Sequence, residues 1–263
     1  MENQLGRISV IRQFGDELYL GRNRDNQSKV LVRNYRMYPG DRLAFTEQCK
    51  FLLELYHPNL IAINEVLESS NGVALVMEYA SGGSLVEYLA HKRASKESIS
   101  LDLALYITQN ILKSVGYIHE QGLLAKDIRP VKVLFMGDGI VKLADISDAY
   151  LIDHRLGTLP ELVLTGYEPP EVLLGGNDSP QSDLYMVGEM LYEMVTGNPP
   201  FPIDTVDSLY QRIGFGEFTK PSAFVGDLPA DLNEIIVMAM SVNPADRFQN
   251  ASAMYRALDS CFP

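Results

Sequence analysis

Residues 125–135 read Ala-Lys-Asp-Ile-Arg-Pro-Val-Lys-Val-Leu-Phe. The segment ends in three apolar residues that are typical of a short β-strand, and an acid, Asp127, lies a few residues before them. Three basic residues flank this acid: Lys126, Arg129 and Lys132. An acid in such a position is a candidate for catalytic chemistry, and the rest of the chain decides how it is interpreted.

The chain before this segment predicts mainly strands. Short runs rich in β-branched and aromatic residues predict five of them, over residues 8–14, 17–21, 30–35, 60–67 and 72–78. A helix is predicted over residues 42–56, because apolar side chains recur there at helical spacing and His57-Pro58 follows.

After Ser81-Gly82-Gly83-Ser84, which has the composition of a hinge, the sequence predicts mainly helices. Apolar residues at helical spacing predict one helix between Leu103 and Ile118. A second helix is predicted to begin at Ser179-Pro180 and to end at Gly197, because these are typical cap residues. Further helices are predicted over residues 206–213, 231–240 and 251–258.

The chain is therefore predicted to have an α+β fold with two lobes. Residues 1–79 would form an N-lobe with a small five-stranded antiparallel sheet and one main helix. Residues 80–84 would form the hinge, and residues 85–263 a larger, mainly helical C-lobe. A cleft between the lobes would face residues 125–147.

Composition excludes several classes of protein. The net charge of −12 argues against nucleic acid or an anionic membrane as the main partner, since both require clustered Lys and Arg. Two cysteines provide no disulfide framework, the four histidines lack metal-ligand spacing, and the longest apolar runs are too short to span a bilayer. The start of the chain lacks the apolar stretch of a signal peptide. We predict a cytoplasmic protein without nucleic-acid binding or membrane insertion.

Motifs across nearly the whole chain resemble those of the protein kinase superfamily. In order they are His57-Pro58-Asn59-Leu60, Met77-Glu78-Tyr79-Ala80, Tyr167-Glu168-Pro169-Pro170-Glu171, Ser182-Asp183-Leu184-Tyr185 and Asn243-Pro244-Ala245-Asp246-Arg247-Phe248. The resemblance implies a bilobal protein-kinase-like fold, and residues 191–201 are most similar to bacterial and related serine/threonine kinases. It also implies that Asp183 accepts hydrogen bonds from the backbone of the loop around Asp127, and that Arg247 pairs with Glu171.

At the catalytic positions of this family, the resemblance finds two acids and several replacements. The acids are Asp127 and Asp145. Ala125-Lys126-Asp127 stands where the family has His-Arg-Asp. Arg129 stands where it has a phosphate-contacting Lys, and Lys132 where it has a magnesium-binding Asn. The remaining replacements are Arg33 for the strand-three Lys, Gln48 for the helix Glu, and Asp145-Ile146-Ser147 for Asp-Phe-Gly.

These replacements leave alternatives open. Arg33 either pairs with Glu47, beside Gln48, or both charged side chains are solvated. Lys132 places a cation where a divalent ion would bind, so an internal salt bridge to Asp127 or Asp145 could replace the metal. We interpret both acids as buried structural residues, hydrogen-bonded to backbone or paired with Lys132 and Arg129. No metal is expected, and Asp145 would bind magnesium only in an active enzyme.

The nucleotide pocket that the resemblance implies is degenerate. Its residues would be Leu18, Leu31, Met77, Glu78, Ala80 and Leu134. Leu31 stands where the family usually has Ala, and overpacking of this kind costs about 1–3 kcal/mol. The glycine positions of the phosphate-covering loop fall on Ile11, Gln13 and Asp16. If Thr158 or Thr165 were phosphorylated, Lys126 would stand where the family has the Arg that binds the phosphate.

We therefore predict a pseudokinase that acts as a protein-binding scaffold or an allosteric regulator, with no cofactor. Its partner would be another protein, such as a true kinase or a phosphatase, and a dimer is left open. One alternative is a divergent ATP-dependent serine/threonine kinase or nucleotidyl transferase, using ATP and magnesium with Asp127, Asp145, Arg33 and Lys132. Another is a sensor that binds a small ligand in the interlobe cleft.

Overall fold

The computed structural model of the chain describes residues 4–14, 17–36, 42–69, 72–144 and 165–261. These residues fall into two compact units, with the boundary between Ser81 and Gly82. The first unit is built on a β-sheet with one helix, and the second is mainly helical. The fold class is therefore α+β, as predicted.

The first unit contains an antiparallel sheet with the strand order β1-β2-β3-β4-β6-β5. Its strands are β1 (Gln4–Leu5), β2 (Ile8–Gln13), β3 (Leu18–Asn23), β4 (Lys29–Arg36), β5 (Ile63–Ser69) and β6 (Gly72–Glu78). The five predicted strands are present, although β5 begins at Ile63 and not at residue 60. The short strand β1 adds a sixth, which no sequence pattern predicted because two residues carry no periodicity.

One face of this sheet carries a closed apolar core made of Ile8, Val30, Val32, Ala74 and Val76. Ile8 lies so close to β3 that a Cβ on Gly21 would be 2.3 Å from its side chain. The residue just before Ile8 is also held by contacts of its side chain. Arg7 forms ion pairs with Glu65 of β5 at 3.0 Å and with Asp25 at 3.3 Å. The N-terminal segment is thus an integral part of the sheet.

The helix α1 (Arg42–Leu52) buries Phe45, Cys49 and Leu52, and the ring of Phe45 lies 5.3 Å from that of Tyr35 on β4. Burial raises the pKa of the Cys49 thiol to about 12, so this thiol is an apolar core group. The helix ends at Leu52 and not at residue 56, because the backbone continues in a turn before Pro58.

The second unit is organised around a long buried helix. Its helices are α2 (Leu85–Ser95), α3 (Leu101–Glu120), α4 (Pro170–Leu173), α5 (Pro180–Thr196), α6 (Val206–Phe215), α7 (Ala230–Ala239) and α8 (Ala251–Cys261). Helix α5 packs against α3 and α7, and α3 also packs against α8. Helix α5 begins after the cap Ser179 with proline in its first turn and ends at Gly197, as predicted.

A two-stranded hairpin, β7 (Val133–Phe135) and β8 (Val141–Leu143), completes this unit. The predicted hinge residue Gly82 donates its N–H to the carbonyl of Phe135 at 2.8 Å. A Cβ on Gly82 would lie 2.8 Å from that oxygen, so only glycine permits this approach. The loop around Asp127 leads directly into this hairpin.

The side chain of Arg247 is fully buried and uses all five of its N–H groups. Two of them donate to Glu171, at 2.8 and 2.6 Å, and three donate to the carbonyls of Gln181, Ser241 and Val242. Its guanidinium also lies over the ring of Tyr185, 4.6 Å from the centroid. The structure therefore contains the Glu171–Arg247 ion pair that the resemblance implied.

We expect Glu171→Gln to destabilise the protein by about 3–5 kcal/mol, because it leaves a buried guanidinium without its counter-charge. Urea unfolding followed by circular dichroism would measure this loss. Glu47→Gln is the matched control, since Glu47 pairs with Lys50 on an exposed surface, and we expect a change below about 1 kcal/mol. Equal effects of the two changes would contradict this account.

The same pair predicts a pH dependence. Burial raises the pKa of Glu171, but the hydrogen bonds from Arg247 and Ser182 outweigh it and hold the pKa below its ordinary value. A carboxyl whose pKa is lowered by folding stabilises the protein above its unfolded pKa and loses this contribution as the pH falls. Unfolding free energy should therefore decline below about pH 4.5, and Glu171→Gln should reduce the slope.

Asp183, near the start of α5, is also buried and connects this helix to the loop around Asp127. Its carboxylate accepts the backbone N–H groups of Ala125 and Lys126, each at 2.8 Å, and contacts His119 Nε2 at 2.7 Å. These are the backbone contacts that the resemblance implied for Asp183. Because the carboxylate is 1% exposed, water cannot replace them if it is removed.

Asp183→Asn should destabilise the protein by about 2–4 kcal/mol, because one amide oxygen cannot accept both backbone N–H groups and the imidazole. The control is Asp178→Asn, which removes a partly exposed ion pair to Lys126 at 3.3 Å. We expect that change to cost less than about 1 kcal/mol in the same urea experiment. If Asp183→Asn cost no more than the control, Asp183 would not be the anchor of the loop.

Candidate functional site

The loop that contains Ala125, Lys126 and Asp127 has a constrained backbone. Ala125 is buried, and Lys126 has a φ of 61°, in the left-handed region that residues other than glycine seldom adopt. The two hydrogen bonds to Asp183 hold this conformation, and the ammonium group of Lys126 lies 3.3 Å from Asp178. The backbone therefore presents Asp127 in a fixed position.

The carboxylate of Asp127 is surrounded by cations from its own loop. Arg129 donates to both oxygens, from Nε at 2.6 Å and from a terminal nitrogen at 3.2 Å. Lys132 Nζ lies 3.5 Å from the second oxygen. The predicted pairing with Arg129 and Lys132 is thus present. The expectation of a buried acid is wrong for Asp127, because 43% of its side chain is exposed, where the loop meets solvent.

This arrangement does not fit a divalent cation at Asp127. A carboxylate that is already paired with two cations is a weak metal ligand, and an ammonium group cannot coordinate a metal. In the part of the chain that the structure describes, no group of three or more His, Cys, Asp or Glu is placed to hold a metal ion. Asp145, with Ile146, Ser147, Asp16 and Thr158, lies outside the described residues.

In the first unit, Arg33 lies on β4 with its guanidinium 5.6 Å from the centre of the Tyr35 ring. Glu47, the partner that the sequence left open for it, is exposed and forms its ion pair with Lys50 at 2.5 Å. An Arg33–Glu47 pair is therefore not formed among the described residues. The side chain of Gln48 is outside the described part of the chain.

Five of the six predicted pocket residues belong to the first unit. Leu31 lies directly opposite Leu20 on one neighbouring strand and Met77 on the other, so these three apolar side chains share one face of the sheet. Glu78 uses a carboxylate oxygen to accept the N–H of Ala62 at 2.8 Å. The remaining members are Leu18 and Ala80, both partly buried.

Leu134, the sixth predicted pocket residue, is the centre of β7 in the second unit, opposite Lys142 and bridged to Ser84. Of the phosphate-covering positions, Ile11 and Gln13 lie in the exposed second half of β2. Thr165 is also in the second unit, where its N–H and hydroxyl both donate to Glu168, at 2.6 and 2.9 Å. This geometry gives Thr165 a structural role in the turn before α4.

Sequence reasoning missed two acids of α5. Glu189 is fully buried, neither of its oxygens has a hydrogen-bond partner within the described residues, and burial raises its pKa well above the ordinary value. Glu193 is also buried and accepts from Arg93 and from the hydroxyl of Tyr167. An acid within an otherwise apolar helical run is unusual and could have identified both residues. The apolar pattern of residues 180–196 predicted the helix but drew no attention to its acids.

No helix in the described ranges is both long enough and apolar enough to cross a membrane.

Comparisons with known proteins agree with this geometry. Residues 16–257 match the protein kinase domain family. The chain is 30% identical over 229 residues to the serine/threonine-protein kinase PknL of Mycobacterium tuberculosis, covering 85% of this chain and 56% of PknL. It is 28% identical over 265 residues to sperm motility kinase 2B of Mus musculus, covering 97% and 52%. The chain thus spans about half the length of these relatives.

A crystal structure of Rad53 residues 1–466 in complex with AMP-PNP has a similar fold, with a TM-score of 0.79 and 23% sequence identity. The similarity covers 95% of this chain and 64% of that one. The family match extends over both units, and the contacts that the resemblance implied for Asp183 and for Glu171 with Arg247 are present. The chain belongs to the protein kinase family.

Proposed function

We propose that this chain is a pseudokinase domain, which acts by binding another protein, such as a true kinase or a phosphatase. The observation that carries the proposal is the state of Asp127, the acid at the family's catalytic position. Both of its oxygens are engaged by Arg129, and Lys132 stands beside them where the family has a magnesium ligand. An acid whose two oxygens already accept hydrogen bonds in this way is not free to accept one from a substrate hydroxyl, and it is a poor metal ligand.

Phosphoryl transfer depends mainly on positioning and on stabilising charge, so the loss of each contact matters. Removing one preorganised contact to the transition state typically lowers the rate by a factor of about 10²–10³. Here the magnesium ligand, the strand-three Lys and the His of the loop are all replaced, by Lys132, Arg33 and Ala125. Several losses of this size together would leave little activity.

The adenine side of the pocket supports the same proposal. Leu31 forms a cross-strand row with Leu20 and Met77, and Met77 is 2% exposed. A leucine packed between these neighbours cannot move aside for a flat base without disturbing the row. The proposal includes a cytoplasmic location. It is supported by the two free cysteines, Cys49 and Cys261, because free thiols are typical of a reducing compartment.

A divergent serine/threonine kinase is the second candidate. It is favoured by the exposure of Asp127, 43% of which remains open to solvent, and by the kinase names of the relatives. In this case substrate and ATP would displace Arg129 and Lys132 from Asp127, and Arg33 would supply the charge of the family's Lys. The two candidates differ in whether nucleotide binds at all.

We expect ATP with magnesium to raise the melting temperature of the protein by less than about 2 °C at 1 mM nucleotide, since a millimolar dissociation constant gives little stabilisation. Differential scanning fluorimetry would measure this. A clear rise at submillimolar ATP would contradict the pseudokinase proposal. Radiolabelled phosphate transfer that disappears in Asp127→Asn would establish the second candidate instead.

The replaced residues predict a gain in nucleotide binding when they are reversed. In the double variant Leu31→Ala/Lys132→Asn, the overpacking is relieved and an amide ligand returns, so we expect magnesium-dependent ATP affinity to increase by about tenfold or more. Leu31→Ala combined with Lys113→Asn, on the exposed side of α3, is the matched control. Equal affinity in both would show that Lys132 does not impede the metal.

A further inference from the structure

Helix α5 carries a deeply buried carboxyl group, that of Glu189. Its side chain is 0% exposed, and neither of its oxygens has a hydrogen-bond partner among the described residues. Tyr185, one helical turn earlier on the same helix, is also 0% exposed, and its hydroxyl likewise has no partner there. A carboxyl group buried in this way is expensive to ionise, because neither water nor a hydrogen-bond donor stabilises its charge.

The cation that acts on Glu189 within the described ranges is Arg247, from the loop before α8. All five N–H groups of Arg247 are already used, by Glu171 and by three backbone carbonyls. Its guanidinium lies over the ring of Tyr185. Arg247 therefore offers Glu189 a favourable charge but no hydrogen bond.

The acid that acts on Glu189 is Glu168, in the turn before α4, and its charge opposes ionisation. Glu168 is partly buried, and it accepts three hydrogen bonds from the residues just before it. They come from the N–H of Thr165 at 2.6 Å, from its hydroxyl at 2.9 Å and from the N–H of Gly166 at 2.9 Å. The turn at 165–168 is thus built around the carboxylate of Glu168.

The other elements that pack on α5 direct their charged groups elsewhere. His119 of α3 contacts Asp183, and the remaining charged residues of α3 are exposed. The acids of α7 are exposed, as is Asp246 in the 3-10 turn before α8. On α5 itself, Glu193 is already in an ion pair. Among the described residues, Glu168 and Arg247 therefore set the electrostatic surroundings of Glu189.

Burial and charge both affect the acid equilibrium of Glu189. Burial raises its pKa well above the ordinary value, the charge of Glu168 raises the pKa further, and that of Arg247 lowers it. Burial also raises the pKa of the Tyr185 hydroxyl well above its ordinary value, and Glu189 adds to the increase. For Glu189, burial and Glu168 outweigh Arg247, so the surroundings favour the protonated form.

We propose that Glu189 retains its proton in the folded chain at neutral pH, and that loss of this proton opens the turn at 165–168. Ionisation breaks the carboxyl O–H bond and releases the proton to solvent, which leaves a second negative charge near Glu168 in buried surroundings. Helix α5 is held between α3 and α7, whereas the turn is partly exposed and rests on three hydrogen bonds. The turn is therefore the part that opens and admits water to the new carboxylate.

This proton-linked turn goes beyond the proposed pseudokinase function and depends on neither nucleotide nor a partner protein. None of the measurements below contains either of them, so failure of this proposal and failure of the pseudokinase proposal are separately visible.

The first test compares the unmodified protein with Glu189→Gln, which removes the ionisable group and keeps its size. A carboxyl whose pKa is raised by folding contributes stability that is fully present below its unfolded pKa, near 4.5, and is lost as the pH rises toward its folded pKa. We expect the unfolding constant of the unmodified protein, relative to that of Glu189→Gln, to rise at least about tenfold from about pH 5.5 to 7.5. Urea unfolding followed by circular dichroism measures both constants.

The matched control is Glu234→Gln, which removes an exposed glutamate of α7. Its unfolding constant should follow that of the unmodified protein at every pH. Glu189→Met is a second variant, because its side chain is apolar and of similar length, and it should lose the pH dependence as Glu189→Gln does. If the unmodified protein, Glu189→Gln and Glu189→Met share one pH dependence, the proposal is wrong.

Infrared spectroscopy gives a result that needs no stable variant. At neutral pH the unmodified protein should show the carbonyl stretch of a protonated carboxylic acid, and Glu189→Gln should lack it. Absence of this band from the unmodified protein would mean that Glu189 is ionised in the folded chain, which overturns the proposal.

The amides of Thr165 and Gly166 report on the turn, since both donate to Glu168. Their protection from hydrogen exchange, measured by NMR, should fall at least about threefold from about pH 5.5 to 7.5 in the unmodified protein. In Glu189→Gln it should stay constant.

The control amides are those of Ala125 and Lys126, which donate to Asp183, another buried carboxylate of α5. Their protection should be the same at both pH values in the unmodified protein and in Glu189→Gln. A turn whose protection does not fall with rising pH, or falls equally in Glu189→Gln, would contradict the coupling between Glu189 and the turn.

Discussion

The buried carboxylate of Asp183 holds the loop on which any activity at Asp127 would depend. It lies in the first turn of α5 and takes both backbone N–H groups of Ala125 and Lys126. These contacts fix Lys126 in a conformation that it would rarely adopt alone. Since α5 is itself buried between α3 and α7, the position of the loop is set by the core of the unit. The backbone of this loop is therefore held in place, although several of its side chains differ from the family's residues.

Around this rigid frame, the cations near Asp127 come from the loop itself. Arg129 and Lys132 both pair with its carboxylate from within a few residues of sequence. The second unit keeps the family's buried charge pair of Glu171 and Arg247 while it replaces the family's catalytic groups. The charges that hold the fold are thus distinct from the charges at the family's catalytic positions.

Much of the fold was predictable from the sequence, because its signals are local. Helix α5 has a cap serine, a proline in its first turn and a terminal glycine, and the structure places its ends there. The ionic contacts of Asp127 were also predictable, since Arg129 and Lys132 are close in sequence. The exposure of Asp127 was not, because it depends on how the loop meets solvent.

The Arg93–Glu193 contact joins residues a hundred positions apart, so no local pattern could reveal it. Strand β1 was missed for a different reason, because two residues are too few to show alternation. For Glu47 the sequence left open either a pair with Arg33 or a solvated side chain. The structure pairs it with Lys50, three residues further along the same helix.

The way in which the N-terminal residues cover the sheet has a practical consequence for anyone who trims this protein. The family match begins at residue 16, but Ile8 completes the apolar core over Val32 and Val76, and Arg7 joins the β5 edge to the turn at Asp25. A fragment cut to the family boundary would lose β1 and β2, which lie at the opposite end of the strand order from β5, and would open this core to water. A fragment that keeps these two strands therefore has to include Gln4, which lies outside the boundary that sequence similarity alone would choose.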